Sequence, residues 1–176
     1  RELTAGQQNG LSNQETAWYV RPDHRLDVDK LLAAFQQFYR EDADSWFDTV
    51  GYVEAAPQLL LQAFLQRIVN GGGRITREYA LGRKRTDLLV EWPLDEAQAF
   101  HGPVQRIVVE LKLLRSGALD ALIAQALPQA ADYADRVGAD ETHLVVFDRT
   151  GRTEWDERVR HTTETVGSRT VGVWGA

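Results

Sequence analysis

Apolar positions recur along this chain at helical spacing, at alternate positions or in short unbroken runs, and these patterns divide it into elements. Residues 1–25 show no sustained periodicity and carry Gly6, Asn9, Gly10, Asn13 and Pro22, which predicts a polar arm or a fragment of helix. From Leu26 to Tyr39 the pattern changes. Leu31, Leu32, Phe35, Phe38 and Tyr39 fall on one helical face, and Asp27 and Asp29 sit where a helix start favours negative charge. Trp46 and Phe47 are expected to anchor the connection that follows. A second helix is predicted from Val53 to Val69, with Leu60, Leu61, Phe64, Leu65 and Ile68 as its apolar stripe. Asn70-Gly71-Gly72-Gly73 ends it, because glycine accepts the left-handed conformation that closes a helix.

Three strands are then expected, at Arg74–Tyr79, Thr86–Trp92 and Arg106–Leu114, the last two rich in Val, Leu and Ile and separated by a loop from Pro93 to Pro103. Leu119–Val137 reads as helix, with Pro128 as a kink or a restart. Thr142–Phe147 reads as a buried strand, Arg152–Arg160 as a charged segment around Trp155, and Thr170–Trp174 as a last strand. This order of helix, strand, strand, strand, helix, strand predicts an α/β fold, a mixed central sheet flanked by helices, with a small helical N-terminal extension.

Composition narrows the class. A hydrophobic fraction of 43% over 176 residues suits one folded domain with a small appendage. No apolar run approaches the roughly 20 residues that span a bilayer, so the expectation is a soluble, cytoplasmic protein with no membrane partner. The chain has no cysteine, which excludes disulfides and thiolate metal sites, and His24, His101, His143 and His161 have no ligand spacing. It also has no methionine and begins at arginine, and is read as a piece of a longer product. The net charge of −6 argues against binding nucleic acid through general positive potential. Between Arg74 and Arg115, however, eight basic residues (Arg74, Arg77, Arg83, Lys84, Arg85, Arg106, Lys112, Arg115) face six acidic ones, a solvated surface or a phosphate-facing patch.

Candidate chemistry lies in that same segment. Asp87, Glu110 and Lys112 interrupt runs that otherwise read as buried strands, where an unpaired charge is costly. Alternation puts Glu110 and Lys112 on one face of their strand and Asp87 and Glu91 on one face of theirs. Should the two strands pair, Asp87 approaches Glu110. Two adjacent carboxylates repel unless a cation lies between them, and oxygen-only ligands suit Mg²⁺ or Mn²⁺. Lys112 would then stabilise charge on a phosphorane or position the attacking water. Glu-Leu-Lys alone is a weak signal; the preceding Asp87, and Gln129 and Tyr133 one turn apart on the next helix, strengthen it. On the second helix Glu54, Gln58, Gln62 and Gln66 share a face, either a solvated stripe or one that brings Glu54 to the edge of the site. The triple glycine is not followed by Gly-Lys-Ser/Thr, so no P-loop is expected.

These residues resemble the PD-(D/E)xK nuclease superfamily. Gly82-Arg-Lys-Arg-Thr-Asp87 is similar to its glycine-to-aspartate motif, Glu110-Leu-Lys112 to its metal and lysine motif, and Gln129-Ala-Ala-Asp-Tyr133 to the Gln-x-x-x-Tyr signature of the RecB-like members. From about residue 30 to 176 the chain resembles the nuclease-like domain at the C-terminus of certain prokaryotic AAA-type ATPases. The resemblance implies a restriction-endonuclease-like core (αβββαβ) over residues 46–176, with residues 1–45 a polar arm and helical extension left from the linker to an ATPase domain. It implies that Asp87, Glu110 and the Leu111 carbonyl hold Mg²⁺ or Mn²⁺, that Lys112 serves the nucleophile, and that Gln129, Tyr133 and Glu54 line the site. Glu78 is a weaker candidate, as readily a surface ion-pair partner. The implied activity is Mg²⁺-dependent cleavage of DNA; an AAA-type ATPase domain or subunit and a homodimer are the implied partners. The alternative is a catalytically silent DNA-binding or protein-docking module of the same fold.

Overall fold

The computed structural model describes the backbone of residues 17–50, 56–78 and 87–176, and the side chains of residues 18–42, 57–77 and 87–176. A short 3₁₀ turn at Ala17–Tyr19 leads through an isolated bridge between Val20 and Leu26 into α1, Val28–Val50. Leu26 is therefore not helical: it is fully buried ahead of the helix. Asp27 caps α1, its Oδ1 accepting from the Lys30 amide at 3.2 Å while its carbonyl accepts the first helical bond from Leu31. Part of the expected polar arm is thus core, since Tyr19 is buried with Leu26 and Val28. Helix α1 also runs eleven residues past Tyr39, so the connection expected at Trp46 and Phe47 is helical.

Helix α2 spans Ala56–Val69 and ends at Asn70 to Gly73 as expected, but none of the three glycines takes the left-handed conformation expected to close it; turn bonds to the Gln66, Ile68 and Val69 carbonyls do so instead. A Cβ on Gly73 would lie 2.7 Å from the Glu91 carbonyl oxygen and from Val69 Cγ1, so the chain passes too close to the sheet here for any side chain.

Among the described residues six strands follow: β1 Arg74–Glu78, β2 Asp87–Pro93, β3 Val104–Leu114, β4 Glu141–Asp148, β5 Arg160–Val166 and β6 Arg169–Gly175. They form one mixed sheet in the order β1-β2-β3-β4-β6-β5, with β3, β4 and β6 parallel and the remaining pairs antiparallel. Helix α3, Leu119–Val137, makes the crossover between β3 and β4. Pro128 neither kinks it into two pieces nor restarts it; Pro128 and Ala124, whose carbonyl loses its helical donor, are both exposed, so water can replace that bond. A single helical turn, α4 at Trp155–Arg158, lies within the segment read as charged. Strand β5 is the element the pattern did not predict. It and β6 form a hairpin whose turn begins at Gly167, φ 61°, a left-handed conformation that favours glycine.

Two layers of apolar packing cover the sheet. On one face α1 and α2 set Leu31, Leu32, Phe35, Leu61 and Leu65 against Leu88, Val109, Leu111, Val145 and Phe147. On the other, α3 sets Ala126 near Leu144, Val146 and Val173, and Tyr133 and Ala134 near Val108. Burying so many branched side chains contributes roughly 1.5–3 kcal/mol each before the entropy of ordering is counted. Among the described residues no helix is long and apolar enough to cross a membrane.

Candidate active site

The register of β2 against β3 decides the site. Asp87 pairs directly with Glu110, so the two carboxylates leave the same face of the sheet on adjacent strands. That face is the one covered by α3. Asp87 is 1% exposed and Glu110 fully buried. Two residues on, Lys112 returns to the same face and its Nζ lies 2.7 Å from Glu110 Oε1. The same ammonium donates to Gln129 Oε1 of α3 at 3.3 Å. Pro128 therefore does not turn Gln129 away, and Gln129 lies on the Glu110–Lys112 pair.

Tyr133, one turn further along α3, is buried over Val108 with Ala134 and Ala139. The Arg136 guanidinium lies 5.6 Å from the centre of its ring. Leu111 turns its side chain into the opposite layer, leaving its main-chain carbonyl as the only group it offers a cation. Glu54, and the motif from Gly82 to Thr86, lie outside the described residues. Glu78 takes the register position opposite Asp87 on β1.

A cation would meet an oxygen-only donor set at this place. Glu110 Oε1 is matched by Lys112, but Oε2 accepts no hydrogen bond from the described residues, although it is buried. An acceptor left in that state needs a cation or an ordered water. Among the described residues no group of three His, Asp or Glu side chains comes together, so the described acids supply a pair and any further ligands come from elsewhere. The pair, the adjacent carbonyl and the lack of sulfur or imidazole fit a hard divalent ion such as Mg²⁺ or Mn²⁺.

The other end of β2 carries a cluster that sequence reasoning missed. Glu91 pairs in register with Arg74 on β1 and Arg106 on β3. Arg74 Nε donates to Glu91 Oε2, and Arg106 Nε lies 3.4 Å from Oε1. The hydrogen bond from Arg74 is the largest influence on this carboxyl and, with the two positive charges, outweighs burial to hold Glu91 below the usual carboxylate value. Arg74 also lies over the Phe100 ring at 4.3 Å. Two of the eight basic residues counted in the segment are thus bound to Glu91. The one available signal was spacing, since Glu91 lies four residues from Asp87 on a face already marked as polar.

A second buried network joins the N-terminal segment to the sheet. Gln105, fully buried, accepts from the Leu26 amide at 2.8 Å and donates to the Leu26 carbonyl at 3.2 Å and Glu141 Oε1 at 3.1 Å. His143 Nδ1 accepts from Trp174 Nε1 at 3.1 Å, which leaves its Nε2 to donate toward Glu141 Oε2 at 3.4 Å. Burial works to raise the Glu141 carboxyl, but His143, Arg21 and Gln105 together bring it below its usual value. With every member engaged inside the protein, this network holds structure.

The described elements define an α/β protein with a mixed six-stranded sheet between helical layers. No family model, no curated protein and no solved structure matches the chain.

Proposed function

We propose that this chain is a metal-dependent nuclease that hydrolyses DNA phosphodiester bonds, with a PD-(D/E)xK site on a restriction-endonuclease-like core. The observation that carries the reading is the buried register pair Asp87–Glu110 with Lys112 Nζ 2.7 Å from Glu110. Asp87 and Glu110, with the Leu111 carbonyl, would hold Mg²⁺ or Mn²⁺. When bound, such an ion polarises a phosphoryl oxygen and lowers the pKa of a coordinated water.

The chain's own residues do the rest. Glu110 holds Lys112 at the mouth of the pair, and Gln129 fixes the ammonium from the α3 side. The ammonium is then available to orient a water toward phosphorus or to stabilise charge growing on the phosphoryl oxygens. Tyr133 and Val108 close the apolar side of the site and keep bulk water from screening those charges. In the hydrolysis, water oxygen bonds to phosphorus, the P–O bond to the leaving sugar oxygen breaks, and the water proton goes to solvent as the leaving oxygen takes one up.

A second reading is a catalytically silent DNA-binding or protein-docking module of the same fold. The net charge of −6 and the described pair of acids, where three ligands would hold an ion more firmly, favour it. Incubating the chain with supercoiled plasmid and linear DNA, in Mg²⁺, Mn²⁺ or EDTA, beside Asp87→Ala and Lys112→Ala, separates the two. Metal-dependent cleavage lost in both variants is the expected result; a folded wild type that binds metal and leaves every DNA intact would move the reading to the silent module.

A further inference from the structure

Strand β5 ends the sheet on the side away from β1, and its outer edge pairs with no described strand. Six of its seven residues are exposed, and its register with β6 runs unbroken from Arg160–Gly175 to Val166–Arg169. An open edge is a template for another strand, and proteins blunt it with lysine, proline, a bulge or shortness. Here Arg160-His-Thr-Thr-Glu-Thr-Val166 has neither lysine nor proline, no bulge against β6, and β-branched residues at Thr162, Thr163, Thr165 and Val166 that suit an extended chain.

The turn fixes what that edge offers. Gly167-Ser168 is a two-residue loop, so Val166 and Arg169 form a hydrogen-bonded pair. Alternation from there turns the main-chain groups of Glu164, Thr162 and Arg160 toward β6, and those of Thr165, Thr163 and His161 outward.

The charges on β5 are a second observation. Arg160 and Glu164 project from one face of the strand, and with the described residues neither side chain makes an ion pair or a hydrogen bond. They stand roughly 13 Å apart along an extended chain, too far for a direct pair when both project from the sheet. Thr162 lies midway between them. A second β5 laid antiparallel, Thr162 opposite Thr162, sets Arg160 of each copy against Glu164 of the other. These pairs fall where the main chain turns away from the new strand, the positions at which side chains of an antiparallel pair come closest. Edge charges deter a partner that meets them with like sign; in this register every meeting is of opposite sign.

We propose that β5 is the surface on which two copies of this chain pair, antiparallel about Thr162, joining their sheets into one. The Arg160–Glu164 pairs set the register, and main-chain bonds between His161 of each copy and Thr163 of the other hold it. Such a dimer forms whether or not the chain cuts DNA.

Sedimentation velocity of the full chain over a range of concentrations, in low and high salt, tests it. Wild type is expected to pass from monomer to dimer as concentration rises, less readily in high salt, where exposed ion pairs are screened. Glu164→Arg and Arg160→Glu each place like charges opposite one another, and each should weaken the dimer about tenfold or more while melting near the wild-type temperature. Mixed in equal amounts, these two variants bring opposite charges together again and should associate as the wild type does. Thr163→Pro removes an outward amide while sparing the ladder to β6, and should abolish the dimer in a chain that still melts cooperatively. A wild type that stays monomeric throughout would overturn the proposal. So would single charge variants that dimerise like wild type, a mixture of the two that stays monomeric, or a Thr163→Pro chain that still dimerises.

Discussion

The two ends of β2 carry opposite charge arrangements on the same face of the same sheet. At Glu91 one carboxylate lies between two guanidinium groups, those of Arg74 and Arg106, whose side chains are about half exposed. At Asp87 and Glu110 two carboxylates stand in register on adjacent strands, Lys112 pairs with Glu110, and Glu110 has no exposure at all. The first arrangement is complete: every charge has a partner, and water reaches the outer ones. The second is buried at both acids, and Glu110 Oε2 accepts no hydrogen bond from the described residues. A buried carboxylate oxygen with no described donor is costly, so the end that keeps one is a better candidate for chemistry than the end whose acid is fully paired.

The strongest way to break the comparison is to remove one acid from each end. Asp87→Asn should reduce Mg²⁺-dependent DNA cleavage at least about a hundredfold, on the order of 3 kcal/mol of transition-state stabilisation, while the chain melts within a few degrees of wild type. Glu91→Gln should leave cleavage unchanged within about twofold. Gel assays of both variants at equal concentration check this, and equal losses of activity in the two would erase the distinction between the ends.

Next in size is the ammonium. Lys112→Ala leaves Glu110 buried without the ammonium that pairs with it, and should cost about 2–3 kcal/mol in urea unfolding followed in EDTA. Part of that loss should return in Mg²⁺, because an ion bound only by the folded chain adds stability in proportion to the logarithm of its concentration over Kd. A Lys112→Ala chain as stable in EDTA as wild type would mean that the pair at 2.7 Å contributes little.

The Glu91 end makes a pH prediction. Its carboxyl is held below the usual value in the folded protein, so the stability it contributes is present above the unfolded carboxylate value and is lost as pH falls through the folded one. Discounted for the exposure of both arginines, Glu91→Gln should cost about 1 kcal/mol at pH 7. The gap between wild type and variant should close on acidification. Paired unfolding curves at pH 7 and pH 3 measure it, and a gap that widens in acid would contradict the Arg74–Glu91–Arg106 assignment.

How much of this was legible in sequence follows from where each residue's neighbours lie. Asp87, Glu110 and Lys112 stood out because they interrupt apolar runs, and alternation alone placed Glu110 with Lys112. Alternation set both acids on one face once β2 and β3 pair, but a shift of two residues would keep that face, so the register that joins Asp87 to Glu110 came from the structure. Strand β5 was not legible, since Arg160–Val166 is polar and largely exposed and no helix imprints an apolar face on it. Its one signal was the turn dipeptide Gly167-Ser168 between Val166 and Arg169, a hairpin cue that needs strand patterns on both sides to be read. The extension of α1 past Tyr39 was hidden in the same way, because residues 40–45 carry acids and no apolar stripe. Arg74, Glu91 and Arg106 are far apart in sequence, and only the register makes them one cluster.

The smallest expected effect sharpens the comparison most finely. Gln129 reaches Lys112 at 3.3 Å, a long neutral-to-charged bond, while Glu110 holds the same ammonium at 2.7 Å. Removing the amide in Gln129→Ala leaves the ion pair in place and frees one direction of the ammonium's motion, so stability should fall by only about 0.5–1 kcal/mol. If Gln129 aims Lys112 at the reacting group, cleavage should fall by about threefold to tenfold, carried by kcat with KM for DNA unchanged, since the lost interaction serves the transition state. Single-turnover cleavage at saturating DNA reads the first quantity and a titration of DNA reads the second. A rise in KM with kcat intact would make Gln129 a DNA contact. At the Glu91 end the neutral group over a charge is the Phe100 ring on Arg74, which makes no hydrogen bond to aim it, so a measurable kcat effect at Gln129 would mark the site end as positioned as well as charged.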